Sequence, residues 1–124
     1  MLRCAFVLLT ALACTLPAYA QRVFQSTALR GELILTQPPE ALLNGKAVRL
    51  APGARIRNPS NMIQLSGSLL GQKLAVNYTL DSAGELRDVW ILTDAELAKK
   101  PWPTTPEQAQ AWLFDSAMQR WSKP

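Results

Sequence analysis

The sequence predicts a mainly β domain: a small antiparallel barrel of five or six strands, OB-like or SH3-like, with short C-terminal helices. Two observations support this prediction. Short segments between residues 29 and 93 alternate apolar with polar residues, and glycine-containing turns separate them. Short strands at such close spacing are typical of small barrels. The alternative is an α+β fold, in which an antiparallel sheet carries helices on one face.

The best-defined element is a β-hairpin over residues 71–93, which closes on a turn at residues 81–84. Gly84 is expected to take the left-handed conformation that other residues adopt only with strain, and Asp81 to accept hydrogen bonds within the turn. The alternation then makes one face of the hairpin apolar. The predicted partners are Leu80 with Leu86, Val76 with Trp90, and Leu74 with Leu92.

Three further signals place the earlier strands and turns. Residues 29–36 form a strand that Pro38 and Pro39 end, because proline has no amide hydrogen to donate to a ladder. The pair Asn44-Gly45 tolerates positive φ at both positions and predicts a two-residue hairpin turn. Pro52-Gly53 predicts a type II turn, since proline presets φ at its first central position and glycine supplies positive φ at the second.

After Thr93 the apolar pattern changes to short helices. Thr93 with Glu96 predicts a capping box, and Pro101 ends the helix that follows. Thr105 with Gln108 predicts a second helix start. The chain then ends with more apolar and aromatic area than a free tail needs, so residues 94–124 are expected to dock on the barrel. The residues concerned are Trp112, Phe114, Met118 and Trp121.

The first 20 residues have the pattern of a signal peptide. Arg3 precedes an apolar run over residues 5–16, and Ala18-Tyr19-Ala20 matches the small-x-small site at which a signal peptidase cleaves. A membrane anchor is disfavoured because a spanning helix needs about 20 apolar residues and Pro17 interrupts this run. A periplasmic or secreted location is therefore expected, and a lipid anchor at Cys14 is the alternative. Residues 21–28 are expected to form a flexible leader before the barrel at residues 29–93.

Removal of the signal peptide changes the charge and thiol content of the chain. Both cysteines, Cys4 and Cys14, lie within it, so no disulfide can stabilise the mature chain in its oxidising compartment. Loss of Arg3 leaves 12 of the 13 basic residues against nine acidic ones, a net charge of +3. With no run of three basic residues, the sequence does not predict nucleic-acid binding.

The composition argues against most catalytic designs. The chain has no histidine, which excludes a His-assisted nucleophile, and the mature chain lacks the His and Cys ligands of common zinc sites. No serine is followed by lysine three positions later, the spacing of Ser-Lys acyltransferases. We expect a non-catalytic protein without cofactor or metal. The remaining enzymatic alternative would use the carboxylates Glu32, Glu40 or Asp88.

Basic residues on the predicted strands are the candidate binding residues. If they share one face, they form a surface for an anionic small molecule or glycan. The alternative is that they are the polar halves of alternating strands. The residues are Arg49, Arg55, Arg57 and Lys73.

The strand and turn segments resemble small exported bacterial OB-like β-barrel domains of unknown function. The segments that carry this resemblance are 31–34 (GELI), 44–50 (NGKAVRL), 70–76 (LGQKLAV) and 81–91. The whole mature chain, including Lys100-Pro101-Trp102-Pro103, resembles hypothetical exported proteins of β-proteobacteria. The resemblance supplies no catalytic or ligand residues.

These observations together predict a periplasmic interaction scaffold. It would bind a protein partner or an envelope component through barrel loops or a strand edge, a role that small barrels commonly serve. Binding of an anionic small molecule or glycan is the alternative function. The mature chain is expected to have no transmembrane segment, and the sequence indicates neither the partner nor the oligomeric state.

Overall fold

The computed structural model describes residues 22–124, which form a mainly β structure: a five-stranded mixed sheet, a separate two-stranded sheet and few helices. The predicted signal peptide, with Ala18, Ala20 and Cys14, lies outside the described residues. The strands are β1 (Leu29–Gln37), β2 (Glu40–Leu43), β3 (Lys46–Arg57), β4 (Lys73–Leu80), β5 (Leu86–Ile91), β6 (Leu113–Asp115) and β7 (Arg120–Ser122). The helices are α1 (Asp94–Leu97), α2 (Pro106–Ala111) and a 3₁₀ turn (Ser66–Leu69).

The five-stranded sheet closes on itself in the order β1-β2-β3-β5-β4, because β4 pairs back with β1. All its pairs are antiparallel except β3 with β5, which is parallel. The mainly β prediction is confirmed, and the prediction of a wholly antiparallel barrel is wrong. Strand direction cannot alternate around a closed ring of five, so at least one neighbouring pair must be parallel.

Two of the predicted turn sequences join strands. Asn44 and Gly45, with φ of 52° and 80°, connect β2 to β3. In the β4–β5 turn Gly84 has φ of 77°. The Asp81 carboxylate there accepts hydrogen bonds from the amides of Ala83 and Glu85, both at 2.9 Å. Local chemistry is sufficient to form each of these turns.

Pro52 and Gly53 do not form the predicted turn between strands, because β3 runs through both of them. Leu50 is paired with Leu86 and Arg55 with Asp88, so five steps along β3 match two along β5. Residues 51–54 therefore bulge out of the ladder, and the φ of 77° at Gly53 accommodates the bend. Pro52 and Gly53 thus form part of a bulge within one long strand, not a turn between two strands.

The register of the β4–β5 hairpin differs from the predicted one. Leu80 is paired with Leu86 as expected, but the register shifts between Thr79 and Leu80, after which Val76 faces Ile91. The predicted pairs Val76–Trp90 and Leu74–Leu92 are therefore wrong. At this shift β5 has one residue more than β4, so the side chains of β5 change faces beyond it. Val89 is therefore buried in the barrel core together with Leu86.

A second apolar cluster lies outside the barrel and holds the C-terminal extension in place. Its buried members come from residues 22–28, from the end of the β4–β5 hairpin and from the extension: Phe24, Ala28, Leu92, Trp102 and Trp121. Phe24 is only 4% exposed, so this residue of the predicted flexible leader is packed in the cluster. The chain ends in the β6–β7 hairpin, which the aromatic pattern did not predict, with Phe114 stacked on Trp121 at 4.6 Å.

Both predicted helix starts have the expected caps. Thr93 Oγ1 accepts from the Glu96 amide at 3.2 Å, and the Glu96 carboxylate accepts from the Thr93 amide at 2.9 Å. Thr105 caps α2 through the amide of Gln108. Within residues 22–124, neither helix has the length and apolar character needed to cross a membrane.

Candidate functional site

The structure distributes the four candidate basic residues over separate parts of the barrel. Arg55 and Arg57 lie on one side of β3, and Arg57 Nη1 is 4.0 Å from Asp88 Oδ1. Arg49 lies before the bulge and is opposite Glu40 on β2. An acidic residue thus lies near each group: Asp88 beside Arg57, and Glu40 opposite Arg49.

Lys73 is farther away, at the start of β4. Its β1 partner is Ile34, whereas Thr79, six residues along β4, faces Asp88. At about 3.3 Å per strand residue, Lys73 is roughly 20 Å along the sheet from the Asp88 position. The structure therefore brings together Arg55 and Arg57 only.

A cleft of about 710 Å³ lies at the bulged part of β3. Its walls come from the β1–β2 connection, from the bulge and from the segment that follows β3. The lining residues are mostly apolar or small: Pro38, Pro39, Arg49, Leu50, Ala51, Pro52, Gly53, Ala54, Ile56, Gln64, Leu65, Ser66 and Glu85.

The cleft exists because β3 lacks strand partners along part of its length. Pairing with β2 stops at Arg49, and the register with β5 skips residues 51–54. On one side of this gap the Leu50 amide donates to the Pro39 carbonyl at 2.7 Å, and on the other the Gln64 amide donates to the Ile56 carbonyl at 2.8 Å. The edge of β3 is therefore bridged at both ends and open between them.

The cleft is close to electrically neutral. Among its lining residues only Arg49 and Glu85 are charged, and their charges are opposite. Leu65 stands at its border with 80% of its surface exposed. An apolar, neutral depression beside an open strand suits a polypeptide segment better than it suits an anion.

A buried polar cluster that the sequence did not indicate lies under α1. Arg30 donates to the carbonyls of Lys99 and Glu96, at 2.7 and 3.0 Å, and its guanidinium lies 4.8 Å from the centre of the Trp102 ring. Burial lowers the pKa of Arg30 to about 10, against the opposing effect of the Glu96 charge. Arg30 stays protonated at neutral pH, and its contacts within the fold assign it a structural role.

The candidate carboxylates are not assembled into a catalytic pair. Glu32 is opposite Ala75, Glu40 opposite Arg49, and Asp88 accepts a hydrogen bond from Thr79 at 3.3 Å. Among residues 22–124, no group of three or more acidic, histidine or cysteine side chains is arranged to hold a metal ion. The cleft is the most developed candidate site in this part of the molecule.

No protein-family model, curated protein or solved structure matches this chain.

Proposed function

We propose that this protein is a non-catalytic interaction module of the periplasm or the extracellular space, and that its cleft binds a short extended segment of a partner protein. The observation that carries the proposal is the open stretch of β3, residues 51–54, which lines an apolar cleft and has no partner on β2 or β5. An extended segment laid along such an edge gains backbone hydrogen bonds from the strand and side-chain contacts from the walls.

We also propose that the barrel is OB-like. The strand order β1-β2-β3-β5-β4, closed by β1 with β4 and with β3 parallel to β5, supports this assignment. OB folds bind oligonucleotides and oligosaccharides on the face of β2 and β3 and with the loops that join β1 to β2 and β4 to β5. The cleft is bordered by Pro38 and Pro39 from the first loop and by Glu85 from the second. This support is an analogy of fold.

The shape of the β3 edge indicates what kind of segment it accepts. Pro52 has no amide hydrogen, and the positive φ of Gly53 bends the strand. A long regular ladder cannot pass this point, so the partner contributes a few residues with apolar side chains. Pro38, Pro39 and Leu65 provide the surfaces on which those side chains pack.

Site-specific photocrosslinking tests this proposal. A photoreactive phenylalanine derivative in place of Leu65 is expected to crosslink a discrete partner in the cell that exports the protein. The crosslinked peptide, identified by mass spectrometry, should be a short apolar segment. The control position is Leu113 on β6, which is similarly exposed and lies outside the cleft. Equal crosslinking from both positions, or none from position 65, would contradict the proposal.

A further inference from the structure

A short hairpin extends β3 beyond the barrel wall. Past Arg57 the chain reverses, and the Asn58 amide donates to the Met62 carbonyl at 2.8 Å, while Ile63 forms a bridge with Arg57. The Asn58 side chain accepts from the Met62 amide at 2.9 Å. We refer to residues 58–65 as the tip loop. These hydrogen bonds define its conformation.

The tip loop directs its large apolar side chains into solvent. Met62 is 64% exposed and Ile63 is 65% exposed, and Leu65 is the most exposed large apolar residue in the described part of the chain. Contiguous exposed apolar patches mark interaction sites, and Met62 and Ile63 are adjacent in the chain and both exposed. Met62 and Ile63 do not line the cleft, so the proposed binding of a partner segment does not explain them.

Arginine side chains lie next to these apolar residues. Ile63 and Arg57 are bridge partners, so their side chains leave the same face, and Arg55, two residues earlier on β3, shares that face. On β5, Arg87 Nε is 3.9 Å from Asp88 Oδ2. Arg57 and Arg87 both lie within 4.0 Å of the Asp88 carboxylate, and Arg55 is opposite Asp88 in the sheet, so three arginines and one acidic residue lie beside the tip loop.

The first described residue of the chain is fixed at the base of the same loop. Arg22 Nη1 donates to the Asn58 carbonyl at 3.1 Å.

We propose that the tip loop docks on an anionic phospholipid bilayer. Met62 and Ile63 enter the boundary between headgroups and acyl chains, and Arg55, Arg57 and Arg87 contact lipid phosphates. Apolar insertion and attraction to negative headgroups act together in peripheral membrane binding, and this surface places both kinds of side chain side by side. A protein with an acidic and apolar surface would be the competing occupant.

Flotation with lipid vesicles tests the apolar part of the proposal. The purified protein is expected to float with vesicles of equimolar phosphatidylcholine and phosphatidylglycerol, and much less with phosphatidylcholine alone. The double variant Met62→Ser/Ile63→Ser should bind at least about tenfold more weakly, because two large side chains no longer leave water. Leu113→Ser changes a similarly exposed residue on the second sheet; it is the matched control and should bind like the unmodified protein.

The electrostatic part is tested by charge removal. Arg55→Gln/Arg87→Gln should weaken binding by about fivefold for each arginine, and added salt should weaken it further. Arg120→Gln, an exposed arginine on β7, is the control.

Circular dichroism melts should match for all these variants, since the altered side chains are exposed. Absence of flotation, equal binding to neutral vesicles, or unchanged binding of the tip-loop variant overturns the proposal. Capture of an acidic partner through the tip loop, without flotation, would identify the competing occupant.

Discussion

Arg22 and Glu96 form a buried ion pair that fastens the first described residues to the helix after the barrel. Arg22 Nε is 3.0 Å from Glu96 Oε2, and each side chain is 10% exposed. Arg22 also donates to the Ile91 carbonyl at 2.7 Å. The pair connects elements that are more than 70 residues apart in the chain, and it supports the packing of Phe24 in the second apolar cluster.

Removing Arg22 should strongly destabilise the fold. Arg22→Ala leaves the Glu96 carboxylate buried without its cation, a change that typically costs about 3–5 kcal/mol. The measurement is the free energy of unfolding from urea denaturation. The exposed control Arg120→Ala should change it by less than about 0.5 kcal/mol. If Arg22→Ala lowers the free energy of unfolding by less than about 1 kcal/mol, the ion pair contributes little to the stability of the fold.

The same pair predicts a loss of stability in acid. Burial alone would raise the pKa of Glu96, but hydrogen bonds from Arg22 and Thr93 and the charge of Arg22 outweigh it, so the pKa lies below the ordinary value of 4.5. For a carboxyl with a lowered pKa, the stabilisation is complete above the ordinary value and disappears as pH falls through the folded-state pKa.

Thermal melts of the unmodified protein and Glu96→Gln check this sign. The difference in Tm between the two proteins should be constant near neutral pH and should shrink as the pH falls below about 4.5, because Glu96 then becomes neutral, as glutamine already is. A difference that stays constant through this range would mean that ionisation of Glu96 does not stabilise the fold.

The side chain of Asn44 leaves no room for a Cβ atom at residue 31. A Cβ atom at residue 31 would lie 2.9 Å from Asn44 Oδ1. This oxygen accepts a hydrogen bond from the Glu32 amide at 2.9 Å, so it is not free to move away. Gly31→Ala should therefore destabilise the protein by about 1–3 kcal/mol. Adding Asn44→Gly should recover part of this loss, because glycine accepts the positive φ at that position.

Chemical denaturation of these variants provides the measurement, and Gly67→Ala is the control, since a Cβ there meets no atom within 4 Å. If Gly31→Ala is as harmless as Gly67→Ala, the close approach of the two strands does not constrain residue 31.

Trp121 should be the anchor of the C-terminal hairpin. Its ring is buried between Trp102, at 6.1 Å, and the stacked Phe114. Trp121→Ala should cost about 3–5 kcal/mol of unfolding free energy through the loss of this packing. Met118→Ala, on the exposed turn of the same hairpin, should be nearly neutral. Equal effects of the two substitutions in urea denaturation would contradict the assigned role of the aromatic cluster.

Local turn and cap chemistry was predictable from the sequence, whereas pairings between distant segments were not. Asn44, Gly84 and Thr93 act through neighbours a few residues away, so their patterns indicate them directly. The parallel β3–β5 pair and the shifted register of β5 depend on closure of the whole sheet. The sequence alternation predicts that Trp90 lies on the apolar face of the hairpin with Val76. The observed register instead packs Trp90 against the second apolar cluster.

The candidate site was only partly predictable for the same reason. Pro52 and Gly53 predicted a type II turn instead of a bulge, and the cleft depends on a mismatch of length between β3 and β5. The four predicted basic residues are separated because the bulge at residues 51–54 lies between Arg49 and the other two β3 arginines, Arg55 and Arg57, and because Lys73 lies on β4. The exposure of Met62 and Ile63 was not predictable either, because apolar residues after a loop are just as compatible with a short buried strand as with an exposed one.

Amide hydrogen exchange along β3 tests the central claim most directly. The crosslinked partner segment, prepared as a synthetic peptide, would be added to the protein, and exchange would be followed at Gly53 and Ala54. If the segment pairs with the open edge, exchange at these amides should slow on binding, while exchange in β6 and β7 should not change. Binding of the peptide with no slowing between residues 50 and 56 would contradict the proposed role of the cleft.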